Sequence, residues 1–309
     1  MKRHRLSLIS SACLALIAIT AMLFVASCGS STSSTTTSTP TASAASGPAA
    51  MVPASIAQSG VLKVGTNLPG TPFEFYMPDN KTMTGADIEL MDGLAKILGL
   101  KTEWTNISWD GLIPAETSGR VNTVISEMGD FTDRQQQVNF VDYLKGGTTL
   151  LISKSDAGKF TKIEDLAGKT LGVTKGTSNL AVGNMLVDKL KSEGMKLTLL
   201  QFTGEGPGIL ALQSGRISGY LYDWVSGVYR ANTQPGFATV FPNLMNKTFP
   251  YGMSTPKTAD GMKLAQAFQA ALNQMIANGS YKEIFSKYGM GDFLFQQAVI
   301  NGGKTSSGG

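Results

Sequence analysis

Histidine and cysteine are nearly missing from this 309-residue chain: the one histidine, His4, and both cysteines, Cys13 and Cys28, lie in its first 28 residues. Beyond that point no Ser-His-Asp or Cys-His nucleophile can be assembled. Imidazole and thiolate metal sites are excluded with them, and so is an intrachain disulfide. Charge is scarce as well, at 16% of residues with a formal net charge of +4. Three of those positive charges, Lys2, Arg3 and Arg5, stand in the first five residues, and without them the remainder carries +1. A near-neutral body without a basic stripe is unsuited to nucleic acid, whose affinity depends on neutralising phosphates. No cofactor or metal is expected.

What is present begins with an export signal. Basic residues precede an apolar run from Leu6 to Val25, which ends in Val25, Ala26, Ser27 and Cys28. That pattern is a cleavable secretory leader, 1–27, and not a permanent span. Its end resembles a bacterial lipobox, in which Cys28 becomes the new amino terminus and carries acyl chains. Each buried methylene then adds about 0.8 kcal/mol of membrane affinity. The body is therefore expected outside the cytoplasm, held to the outer face of the membrane or in the periplasm. Residues 29 to about 50 are almost entirely Ser, Thr, Ala, Gly and Pro, too poor in large apolar side chains to offset the entropy of ordering. They read as a tether, assigned to 28–55.

From Ile56 to Asn301 short β-type runs alternate with amphipathic helical stretches, which predicts an α/β architecture with largely parallel sheets. Strands are expected at Val61–Thr66, Lys101–Asn106, Val121–Ile125, Thr170–Val173 and Ile217–Leu221. Helices are expected at Asp87–Leu98, Leu112–Ser118 and Asn179–Glu193, the first two closed by Gly99 and Gly119. The chain also repeats itself: Leu112–Asn122 (LIPAETSGRVN) overlays Gly208–Ser218 (GILALQSGRIS) with Ser-Gly-Arg in register. Two similar α/β lobes follow.

Ligands of open α/β sheets lie beyond the carboxyl ends of the strands. After Val121–Ile125 comes Arg134, and after Ile217–Leu221 comes Asp223. A guanidinium fork in one lobe and a carboxylate in the other can grip a zwitterion, each charge-assisted bond contributing about 1.5 to 3 kcal/mol. The blander alternatives are an ion pair of Arg134 with Asp130, and Asp223 as an N-cap for the helix starting near Trp224. Thr177 and Ser178 open another helix and either attract an anion or merely cap it.

At these residues the chain is similar to the family 3 solute-binding proteins of ATP-binding cassette importers for polar amino acids. The landmarks, spread over nearly the whole body, are LKVGTN, PFEFY, TGADIELMDGLAKILG, WDGLIPA, TDRQQQVNFVDY, IEDLAGKTLGVTKGTS, LQSGRIS with Asp223, and NGSYKEIFSKYG. The resemblance implies a type II Venus-flytrap fold with two mixed sheets. It puts one lobe at 56–147 and 250–309, the other at 148–249, and two hinge crossings near Lys145–Leu150 and Lys247–Gly252. It implies that Arg134 binds an α-carboxylate, with Thr177 and Ser178 beside it, that Asp223 binds an α-amino group, and that Trp109 packs against the ligand side chain. It also implies a monomer that presents its closed form to a membrane permease and makes or breaks no bond.

Departures from the family pattern matter too. Gly129 stands where a Thr or Ser hydroxyl usually helps hold the carboxylate. Gly70 replaces an aromatic, leaving either a wider pocket or one refilled by Phe73 or Phe75. Glu127 either enters the cleft and favours a cationic side chain or is solvated, and Asn67 is a neutral hydrogen-bonding candidate. The alternative function is a dehydratase acting on cyclohexadienyl compounds or arogenate on the same fold, with a carboxylate such as Glu127 as general acid.

Overall fold

Val61–Thr66 is extended and pairs in parallel with Lys101–Asn106 on one edge and Thr123–Val124 on the other, in a computed structural model that describes residues 46–306. Its inward side chains Leu62 and Val64 are fully buried. They join Leu90, Met91 and Leu94 of helix Ala86–Ile97 and Leu264, Phe268 and Leu272 of helix Ala259–Asn278 in one core. The second lobe repeats the plan: Thr170–Thr174 lies between parallel partners Thr198–Phe202 and Gly219–Asp223, backed by helix Ser178–Ser192.

The internal repeat is one structural unit used twice. In each copy a helix ends on Ser, and the glycine after it takes a left-handed φ, +76° at Gly119 and +73° at Gly215, which costs a residue without Cβ least. The next arginine N–H returns to the helix, Arg120 to Ala115 and Arg216 to Ala211, both at 2.9 Å. The following strand is then tied to the lobe's first strand, Asn122 N–H to Lys63 O and Ser218 N–H to Thr170 O, both at 2.8 Å. These turns consume residues expected in strands. Pairing therefore begins at Thr123 and Gly219, two residues later than expected, and Asp223 becomes the last residue of its strand.

One long strand, Val138–Ser153, joins the two sheets. Up to Gly147 it pairs antiparallel with Thr248–Pro256. From Thr148 it pairs with Gly219–Asp223, and its end with Phe237–Val240. The return passage runs from Val240 through Leu244–Asn246 into Thr248–Pro256. The fold is thus the expected two-lobed type, each sheet mixing a parallel set with antiparallel crossing strands.

One boundary is corrected. The tether was expected to run to residue 55, yet Gly47–Met51 forms a 3-10 helix and Ala54–Ser59 an α-helix. Val52 and Ile56 are buried in the first lobe's core, because these apolar side chains interrupt the Ser/Thr-rich composition. The leader, Cys28 and the rest of the tether lie outside the described residues. Among the described residues no helix is long and apolar enough to cross a membrane.

Phe268 is fully buried in the first lobe's core, so Phe268→Ala leaves a cavity and is expected to cost about 3 to 5 kcal/mol. Urea unfolding followed by circular dichroism measures it, and a loss below about 1 kcal/mol contradicts this packing.

Candidate functional site

The carboxyl ends of the parallel strands of both lobes meet at one cavity of about 590 Å³, mouth included. Asn67 arrives after Val61–Thr66, Ser126 and Glu127 after Thr123–Val124, Thr177 to Asn179 after Thr170–Thr174, and Asp223 closes its own strand. Gly70, Glu74, Trp109, Glu205 and Tyr222 complete the wall.

Asp223 initiates helix Trp224–Thr233 by position, but its side chain does not cap it. One oxygen accepts from Tyr251 Oη at 2.5 Å and the other from Asn179 Nδ2 at 3.3 Å. Asn179 is oriented in turn by Thr148 Oγ1, which donates to its Oδ1 at 2.6 Å. Loss of water pushes the carboxyl up to about 6, against the hydrogen bonds and Arg134, which favour its charge.

Glu127 is the clearest case of a residue bent for a purpose. Its φ of +43° is costly for a side chain with a Cβ. The turn is held by its N–H on Asp87 Oδ2 at 3.0 Å, and Ser226 Oγ of the second lobe donates to its Oε2 at 3.0 Å. It lines the cavity and is half-buried. Burial first, then Asp223, Glu205 and Asp87, hold its carboxyl well above the usual range.

Below it, Glu74 is fully buried, accepts from Ser126 Oγ at 2.6 Å and faces Asp87. Burial and Asp87 raise Glu74 strongly. Asp87 rises to about 7, moderated by the Glu127 N–H and by Tyr143 Oη, which donates to it at 2.9 Å.

These carboxyls explain the glycine at position 70. A Cβ there meets Glu74 Oε1 at 2.5 Å and Glu127 Oε1 at 3.1 Å. The space expected for an aromatic is thus occupied by acid. Phe73 does not refill it: the ring is fully buried behind the wall, edge to face with Tyr251 at 5.8 Å. Phe75 likewise packs against the first lobe's core.

Arg134 is placed differently from expectation. It does not bridge to Asp130, whose carboxylate accepts from Gln135 Nε2 and Gly303 N–H. Its Nη1 donates to Gly129 O at 2.9 Å, and its Nη2 reaches across the lobes to Gly176 O at 3.2 Å. Trp109 Nε1 donates to the same carbonyl at 3.2 Å, with its ring 5.6 Å from the guanidinium carbon. Arg134 therefore lines a neighbouring cavity with Ile113, Gln137 and Lys175, and Trp109 forms part of both walls. Two backbone carbonyls draw the guanidinium there. Burial lowers it to about 10, so it stays a cation at neutral pH.

Gly129 has no room for the hydroxyl residue usual in the family, because a Cβ there lies 2.3 Å from the Phe131 ring. Thr177 Oγ1 donates to Thr174 O at 2.8 Å and does not cap the helix. Ser178 starts that helix and lines the cavity, beside amides without intrahelical acceptors. Asn67 Nδ2 is committed to Ile107 O at 2.7 Å.

Among the described residues the cavity wall thus holds Glu74, Glu127, Glu205 and Asp223 and no lysine or arginine, and of these four only Glu205 has an ion-pair partner there, Arg230. The sequence reading missed Glu74, Glu205 and Asn179. A carboxylate set between two phenylalanines, Phe73-Glu74-Phe75, was the available signal for the first.

Known proteins share this plan. A profile of the bacterial extracellular solute-binding proteins, family 3, matches residues 62–291. An L-arginine-binding protein of Pseudomonas aeruginosa is 25% identical over 231 residues, 74% of this chain and 87% of the relative. An ancestral arginine-binding protein solved with arginine superposes with a TM-score of 0.65 at 28% identity, covering 74% of this chain and 98% of the other. An ancestral amino acid-binding protein, described as a precursor of cyclohexadienyl dehydratase, gives 0.68 at 28%, covering 76% and 97%.

The site's charge carries a stability cost with a definite sign. The Asp223 carboxyl sits at about 6 in the folded chain against an ordinary 3.8, so the folded state holds its proton longer. That contribution is complete below about 4 and is lost as pH rises through about 6. Asp223→Asn has nothing to lose there. Its stability relative to the parent is expected to rise between about pH 4 and 7 and then level off, in urea midpoints measured without ligand. A difference that stays flat across that window contradicts the assignment.

Proposed function

The chain belongs to the bacterial extracellular solute-binding proteins, family 3, and from that premise we propose that it captures a cationic L-amino acid between its lobes for an ATP-driven importer. The observation that carries the specificity is the cavity wall, which among the described residues has four acidic side chains and no basic one. Buried carboxylates without counterions are costly, and a ligand ammonium or guanidinium supplies the missing charge. In this reading Asp223 takes the α-ammonium, while Glu127, with Glu74 beneath it, receives the side-chain cation. Arg134 exchanges Gly176 O for the α-carboxylate, beside the helix start at Thr177 and Ser178. Asn67 and the Trp109 ring flank the ligand. The relative and the solved structure named for arginine support the same class of solute.

Closure follows from the same contacts. Ser226 already reaches Glu127 across the lobes, and Arg134 and Trp109 reach Gly176. A ligand that engages both sides adds to these links and favours the closed form. Hinge rotation fits the two passages between lobes, at Gly147/Thr148 and between Val240 and Thr248.

The reading includes no catalysis. Binding-protein names among the relatives support that, as does a body without histidine or thiol. The raised Glu127 is the one feature that also suits a dehydratase acid, and turnover of prephenate or arogenate by the purified protein decides that point. The lipobox-like segment supports anchoring through Cys28 at the outer face of the cell membrane, and membership of the family supports delivery of ligand to an importer's permease. Cys28→Ser is then expected to release the protein from membranes.

Isothermal titration is expected to show micromolar or tighter binding of at least one of arginine, lysine or ornithine, and none of glutamate. Arg134→Ala weakens it at least tenfold. Because the cation favours ionised carboxyls, binding expels protons near neutral pH, and the heat changes with the buffer's ionisation enthalpy. Preference for an acidic ligand, or proton uptake, overturns the reading.

A further inference from the structure

Asn301–Thr305 lies beyond the stretch matched by the family profile, yet it is stitched to the loop that carries Arg134. Asn301 exchanges two bonds with Phe140, its N–H to Phe140 O at 3.0 Å and Phe140 N–H to its Oδ1 at 2.8 Å. Gly302 N–H then donates to Asp142 Oδ2 at 3.1 Å, and Gly303 N–H to Asp130 Oδ2 at 2.8 Å. Gln135 Nε2 closes the knot by donating to both Asp130 Oδ1, at 2.7 Å, and Gly303 O, at 3.0 Å. One step further, Thr132 N–H donates to Thr305 O at 2.9 Å.

The segment is therefore bonded to residues 130, 132 and 135, on both sides of Arg134. Its two glycines are steric requirements. A Cβ on Gly302 falls 2.1 Å from Asp142 Oδ2, and one on Gly303 falls 2.0 Å from Asp130 O. Gly303 is buried although the residues after it are exposed. Three of the segment's hydrogen bonds converge on this one loop, at Asp130, Thr132 and Gln135, and their common target is the stretch around one guanidinium.

We propose that Asn301–Thr305 is a strap that positions Arg134, holding the Gly129–Gln137 loop so that the guanidinium is set in advance for the ligand's carboxylate. Preorganised groups bind more tightly because less order is lost on binding. Gly303 and Gln135 are positioning residues, acting on the ligand through Arg134. The inference rests on the reading of Arg134 as the carboxylate partner.

The test is a double-mutant cycle on the full chain with L-arginine as probe, read by isothermal titration. Gly303→Ala, which displaces the strap, is expected to weaken binding at least fivefold in the parent and less than twofold when Arg134→Ala is already present. Should Gly303→Ala fail to fold, Gln135→Ala removes the knot without adding atoms, and the same pattern is expected. Agmatine, which keeps the guanidinium and lacks the carboxylate, is expected to bind parent and strap variants alike. Equal losses in both Arg134 backgrounds, or no loss in either, overturn the strap. A parent that binds L-arginine with no contribution from Arg134 overturns the strap and the carboxylate assignment together, and a parent that binds no L-arginine overturns the cationic reading as well.

Discussion

Glu127 accepts a hydrogen bond from the opposite lobe, is bent into a left-handed turn to do so, and shares its cavity with Glu74, Glu205 and Asp223. Removing carboxylates from water is among the largest single costs a fold can carry. Here it is met in three ways: a raised pKa at Glu127 and Glu74, hydrogen bonds at Asp223, and one ion pair at Glu205. None of these supplies a counterion for Asp223 or Glu127 inside the cavity. The proposed ligand chemistry and proton release both follow from that imbalance.

Much of the surrounding fold is arranged to hold the imbalance in place. Gly146 leaves space for the Tyr251 ring, since a Cβ there lies 2.6 Å from it. Tyr251 thereby reaches Asp223 from the crossing strand Thr248–Pro256, so one hydrogen bond ties the hinge to the ligand wall. Gly70 gives way to Glu74 and Glu127 in the same manner. Substitutions at these glycines are expected to act on the site although neither touches a ligand through a side chain.

The strands, the principal helices and the two-lobe repeat were legible in the sequence because they depend on local signals: β-branched runs, apolar faces at helical spacing, and Ser-Gly-Arg turns. Asp223 was legible as a candidate because it follows a strand end, whereas for Glu127 the cleft and solvent stayed open alternatives in the sequence. Phe73 was misplaced, since an aromatic looks the same in sequence whether it lines a cleft or lies behind it. Glu74 was missed for a related reason. Whether a carboxylate between two phenylalanines faces solvent or acid depends on Gly70 and Ser126, the latter 52 positions away. The contact of Arg134 with Gly176, 42 positions away, joins the two lobes and has no counterpart in local sequence. The fastening of its loop by Gly303 and Thr305 has no local signature at all.

The most direct test of the account is the identity of the molecule the protein holds when it is isolated. Protein purified under native conditions, then denatured, is expected to release an unmodified arginine, lysine or ornithine, detected by mass spectrometry in near-stoichiometric amount. Release of an acidic or apolar solute, or of a chemically altered product, contradicts it.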